Sequence, residues 1–176
     1  MDIPSFKIRF ELSQLQGLAE KYKDADDAEV VGLRAQVVER GYLTQSEFLA
    51  ICAWKSPRAK PHAQRNSSES IKEITQVALS ARTEDLRIGA LTLLHGVQFP
   101  TASAILHLTH SDLYPILDFR ALWSLGVEVS PSAYSVDFWL AYTDECRRIA
   151  KKSNLSMRTV DRALWQYSAD NQGLAG

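Results

Sequence analysis

The chain has 176 residues, a 45% hydrophobic share and a formal net charge of −1 from 20 basic and 21 acidic side chains. That hydrophobic share excludes a disordered chain, and no apolar run approaches the roughly 20 residues that a membrane helix needs. The near-zero charge balance excludes a generally basic nucleic-acid binder, so any affinity for DNA has to come from a local patch.

Cys52 and Cys146 lie far apart in predicted helices and read as reduced thiols of a cytoplasmic protein. The opening Met-Asp-Ile-Pro-Ser has no apolar core, so no secretory signal is expected.

In chain order, residues 1–10 alternate loosely: Ile3, Phe6, Ile8 and Phe10 are apolar, Lys7 and Arg9 basic. The run reads as an extended arm packed on the body, or as an arm touching DNA through Lys7 and Arg9. A helix is predicted from about Ser13 to Lys23, with Leu12, Leu15, Leu18 and Ala19 on one face. Asp24 to Asp27 form an acidic break that can cap the next helix, about Ala28 to Arg40, which Gly41 ends. Thr44 followed by Glu47 is a capping box and opens a largely apolar helix that runs to Lys55.

Lys55, Arg58, Lys60, His62 and Arg65 follow without an acid among them, and Pro57 and Pro61 argue against a helix there. Such a basic loop flanked by Trp54 suits phosphate contact or a stacking base pocket. The alternative is a solvated connector beside a core Trp.

Ser67 or Ser68 caps a helix to about Ala81, and Thr83 caps the next, Glu84 to Leu94. Gly96-Val97 makes a tight turn, and a second helix starts near Pro100, a residue suited to the first helical position. A loop from His110 to Pro115 leads to Ile116-Leu117-Asp118, ahead of a helix from Phe119 to Leu125 that Gly126 ends. After a Pro/Ser loop come helices of about Val136 to Lys152 and Met157 to Ala169, then a frayed tail. The basic run Arg147, Arg148, Lys151 and Lys152 reads as complementing a helix dipole, the alternative being a DNA contact. With neither strand alternation nor a repeat, the fold class is all-α, with nine or ten helices. His95, His107 and His110 have no supporting Cys or Glu pattern, so no metal is assigned.

The stretch Leu91–Gly126, about a fifth of the chain, resembles the helix-hairpin-helix DNA glycosylase superfamily. Leu94, Gly96, Val97, Thr101 and Ala102 match its hairpin, and Pro115, Ile116, Leu117 and Asp118 match its aspartate segment at the family's interval. The wording is most similar to the monofunctional branch, including adenine glycosylases. The resemblance implies two small helical lobes with a cleft between them, within one compact domain over 1–176. The hairpin and aspartate segment occupy 84–126, and helices of 11–55 and 136–169 form the second lobe.

It also implies a DNA N-glycosylase that flips a base out of a duplex and hydrolyses its N-glycosidic bond, leaving an abasic site. Asp118 would be the catalytic carboxylate. Gly96, Val97, Gln98 and Thr101 would bind a DNA phosphate, and Trp54, Lys55, Arg58 and Arg120 are candidates for the base pocket or a DNA contact. The substrate is a damaged base, in repair, or a modified cytosine of phage DNA, in defence. The expected partner is double-stranded DNA, the protein is expected to be a monomer, and no cofactor is expected.

Two departures carry meaning. The hairpin's second Gly is Gln98. Pro100 stands where the bifunctional enzymes have Lys, and it cannot form a Schiff base. With two cysteines, one chain cannot supply a four-thiolate iron–sulfur site. The alternative reading is a non-catalytic helix-hairpin-helix module that binds DNA.

Overall fold

Apolar residues recurring at helical spacing lead to helices throughout. The computed structural model describes residues 3–23 and 28–173, and among these every regular element is helical. The acidic break at Asp24–Asp27 lies outside the described residues. The α-helices are α1 (Leu15–Lys21), α2 (Ala28–Val31), α3 (Leu33–Arg40), α4 (Gln45–Lys55), α5 (Lys60–Ala63), α6 (Ser68–Ser80), α7 (Glu84–Leu91), α8 (Phe99–Thr109), α9 (Phe119–Ser124), α10 (Val136–Ser153) and α11 (Met157–Asn171). None is long and apolar enough to cross a membrane, among the described residues.

The chain divides into two units, Met1–Asp24 with Pro115–Gly176, and Ala25–Tyr114. This differs from the expected grouping of 11–55 with 136–169. Residues 28–55 fold with the helices that follow them because α4 packs on α6 and α8, and α3 also packs on α8.

In the unit Ala25–Tyr114, α8 is the centre. All nine residues from Thr101 to Thr109 are buried, as in a helix surrounded on all sides. Two of its polar side chains bond back to the helix itself. The Ser103 hydroxyl donates to Pro100 O at 2.9 Å and that of Thr109 to Ile105 O at 2.6 Å. Each buried Leu or Ile, such as Leu106 or Ile105, contributes about 1.5–3 kcal/mol of burial. The Thr44 capping box forms as expected: Glu47 Oε2 accepts from Thr44 N at 2.8 Å and Thr44 Oγ1 from Glu47 N at 3.4 Å.

Three expected elements come out differently. The helix predicted over 28–40 is interrupted at Gly32, between α2 and α3. The helix predicted to end at Leu94 stops at Leu91, because Thr92, Leu93 and Leu94 each donate to the carbonyl three residues back, which tightens and closes a helix. The basic stretch after Trp54, expected as a loop, contains a 3-10 turn at Pro57–Ala59 and then α5. Pro57 and Pro61 sit in the first turn of these pieces, where a missing N–H costs nothing.

In the other unit α11 is the centre, with α1, α9 and α10 packed against it. The N-terminal arm runs extended along the end of α9: Lys7 N donates to Leu125 O at 2.8 Å and Arg9 N to Ser124 O at 2.9 Å. Arg9 is also committed through its side chain, which stacks over Trp123 and pairs with Glu128 at 3.2 Å. The arm is therefore tied to its own unit.

Candidate functional site

Asp118 is the N-cap of α9. Its backbone is extended, and its Oδ1 accepts the Arg120 N–H at 2.9 Å. The residues leading to it, Pro115 to Leu117, are buried and carry two long-range anchors. Tyr142 Oη donates to Ile116 O at 2.8 Å, and Ile116 N donates to Asp161 Oδ1 at 3.0 Å. Asp161, 8% exposed, is itself paired with Arg158 at 3.2 Å. Both hydrogen-bonding groups of Ile116 are thus fixed by α10 and α11, and Asp118 emerges half-buried two residues later.

The Asp118 charge acts on two phenols. Burial, with the Asp118 charge adding to it, pushes the Tyr134 hydroxyl above its ordinary value. Tyr142 is pushed up strongly, by burial first and by several neighbouring groups, among them Asp118. Both phenols therefore stay protonated beside the carboxylate. Arg120 belongs to the same unit, but its guanidinium lies over the rings of Trp165 at 5.1 Å and Phe119 at 5.3 Å. It is the backbone N–H of Arg120, rather than the guanidinium, that contacts Asp118. Phe119 stands 54% exposed next to the carboxylate.

Gly96, Val97, Gln98, Thr101, Trp54, Lys55 and Arg58 belong to the unit Ala25–Tyr114. Gly96 has φ +80°, and a Cβ there would lie 2.9 Å from Ala63 N and 3.0 Å from Ala59 O. Only Gly allows that backbone conformation and approach together. The Val97 N–H is already used by Leu94 O at 3.1 Å, and Ala102 N–H is bonded to Gln98 O at 2.8 Å. No side chain caps α8. What its N-terminus offers a ligand is therefore the N–H of Gln98, Phe99 and Thr101, with Pro100 contributing none. The Thr101 side chain is only 5% exposed, so this end acts through backbone.

Asn66, which sequence reasoning did not single out, locks this turn. Its Nδ2 donates to Ala63 O at 2.8 Å and to His95 O at 2.9 Å, and its Oδ1 accepts from His95 N at 2.8 Å. Trp54 is half-buried and lines a groove of about 470 Å³ with Leu49, Ala50, Ala53 and Lys60. Arg58 is exposed and Lys55 half-buried. Of the three histidines, His95 is exposed, His107 Nδ1 lies 2.6 Å from Tyr114 O, and His110 Nε2 lies 2.8 Å from the Arg87 guanidinium.

Tyr134, Tyr142, Asp161 and Asn66 complete the picture that the sequence left out. Asp161 had one local signal, an acid adjoining the apolar stripe of Val160 and Leu164 in the last helix. Tyr142 read as one more apolar position, and nothing near Asn66 points to a partner 29 residues away. No protein-family model, no curated protein and no solved structure matches the chain.

Proposed function

We propose that the protein is a monofunctional DNA N-glycosylase acting on a damaged or modified base, with Asp118 as its catalytic carboxylate. The observation that carries the reading is the way Asp118 is held. A half-buried carboxylate stands at the end of a segment whose preceding peptide is hydrogen-bonded on both sides, by Tyr142 and Asp161. A preorganised negative charge of this kind stabilises a sugar that becomes oxocarbenium-like, without reorganisation at the moment of reaction.

In the reaction the C1′–N bond breaks and its electron pair leaves with the base. Water adds its oxygen to C1′, and the water's proton passes to Asp118 or to solvent. The base gains a proton and departs, leaving an abasic deoxyribose. The N-terminus of α8 serves DNA by donating its N–H groups to a backbone phosphate, a contact that ignores sequence. In the same unit as that helix, Trp54 offers a ring for stacking and Lys55 and Arg58 offer charge for phosphate. Pro100 leaves the lyase route without its amine.

A second reading, a DNA-binding module without catalysis, draws on the Asp118 cap bond to Arg120 N, which gives that residue a structural reason to be present. One experiment separates the two. Duplexes carrying a range of damaged or modified bases, and phage DNA rich in modified cytosine, are incubated with wild type and Asp118→Asn, then treated with alkali. Strand breaks with wild type only, and only after alkali, are expected. Equal DNA binding by both proteins with no breaks on any substrate would leave the binding module.

A further inference from the structure

The segment from Arg58 to Arg65 is not a loose connector. It forms a 3-10 turn and α5, and its backbone lies directly under the Gly96 turn, where no side chain fits. Asn66 then bonds both the N–H and the carbonyl of His95. Segment and turn are therefore one rigid piece of the same unit.

The charges on that piece are of one sign, with no acid between Arg58 and Arg65. Five arginines elsewhere are matched with acids: Arg9 with Glu128, Arg40 with Glu47, Arg87 with Glu84, Arg148 with Glu145 and Arg158 with Asp161. Arg58, Lys60 and Arg65 are exposed, and among the described residues none of the three forms an ion pair. In a chain with 20 cations and 21 anions, three unmatched cations within eight residues make the kind of local patch that the overall charge lacks.

We infer that Arg58, Lys60 and Arg65 bind backbone phosphates of a DNA duplex, as an extension of the phosphate contact at the N-terminus of α8. This rests on the DNA reading above. The connection through Gly96 and Asn66 ties the backbones that carry the two contacts together, so only side chains are left to order when DNA arrives. Binding of this kind carries no base preference and positions the duplex. It also releases one counterion for roughly each phosphate neutralised, which makes it visible in the salt dependence.

The test is the slope of log affinity against log salt for a short random-sequence duplex. The triple variant Arg58→Gln/Lys60→Gln/Arg65→Gln is expected to lower that slope by about 2 to 3, since each lost phosphate contact removes about 0.9. Arg58→Lys/Arg65→Lys is expected to keep it. Lys151→Gln/Lys152→Gln, on the exposed end of α10, is expected to leave it unchanged. Circular dichroism checks that each variant is folded. A triple variant with the wild-type slope overturns the proposal. So does an equal fall with the α10 variant, which would mean that general charge and not this patch is at work. A wild type with no salt-dependent DNA affinity overturns it too, and points to an acidic protein surface as the occupant. The same preparations are assayed for abasic sites. Abasic sites with an unchanged slope sink this inference alone, and a lowered slope without abasic sites sinks only the glycosylase reading.

Discussion

Tyr142 Oη donates to the carbonyl of Ile116 at 2.8 Å, from the middle of α10 to a point two residues before Asp118. Tyr142 is fully buried, so Tyr142→Phe leaves a buried acceptor without its donor. The expected loss is about 1–3 kcal/mol of stability, read from the urea midpoint. If the bond also holds Asp118 in its working position, abasic-site yield falls in the same variant while DNA affinity stays at the wild-type level. Yield and stability both unchanged would remove Tyr142 from the account of the site.

Asp118→Asn tests the carboxylate itself. It keeps an oxygen that can accept the Arg120 N–H, so the helix cap survives while the charge is lost. A fall of about 10²- to 10⁴-fold in the rate of abasic-site formation is expected, with the melting temperature nearly unchanged. A variant that melts much earlier and retains activity would make Asp118 a structural cap.

Two glycines with the same backbone conformation separate strain from crowding. Gly41 has φ +81° and open space around its Cα, whereas Gly96 has φ +80° and backbone atoms of Ala63 and Ala59 within 3.0 Å of an added Cβ. Gly41→Ala should cost about 1–2 kcal/mol for the left-handed backbone alone. Gly96→Ala should cost clearly more, and should also lower DNA affinity, because the turn must move off α5. Equal losses in urea denaturation would show that the approach at Gly96 has no energetic weight.

Stability should fall in mild acid because of His110. Burial first, and then the charge of Arg87, hold its imidazole below the ordinary value, with Asp112 and Glu84 pulling more weakly the other way. An unfolded chain takes up this proton near pH 6.5, before the folded one does. The contribution is therefore complete above about pH 6.5 and is lost as the pH falls below it. Urea midpoints at about pH 7.5 and about pH 5.5 should differ for wild type, and the difference should shrink in His110→Gln. The same difference in both proteins would assign the effect to other groups.

The thiols should be silent in the folded protein. Burial pushes Cys52 up to about 12 and raises Cys146 as well, and both side chains are buried. A thiolate reagent at neutral pH should count no reactive thiol in buffer and two in denaturant. Rapid reaction of one thiol in buffer would indicate local opening around α4 or α10.

Much of the helix grammar was written locally. Thr44 with Glu47, Ser67, Ser156 and Asp118 sit at the helix starts the sequence indicated, because a cap bond spans two or three residues and needs no partner from elsewhere. The basic stretch after Trp54 reads as a loop but folds into short helical pieces for a reason equally local: Pro57 and Pro61 count as breakers only inside a helix, and both fall in a first turn. The hairpin's Gly96 was legible as a turn, but not as the point where α5 presses on it.

What the sequence determined by itself was the helical class, most helix starts, the lack of a membrane-spanning helix among the described residues, and Asp118 ahead of a helix. These follow from spacing and cap chemistry within a few residues. Only the tertiary structure decided that residues 28–55 fold with 60–114. It alone joined Asn66 to His95, and tied Ile116 to Tyr142 and Asp161 across 26 and 45 residues. The physical reason is that a buried peptide group must find some partner, while its own sequence carries no mark of which distant side chain will reach it.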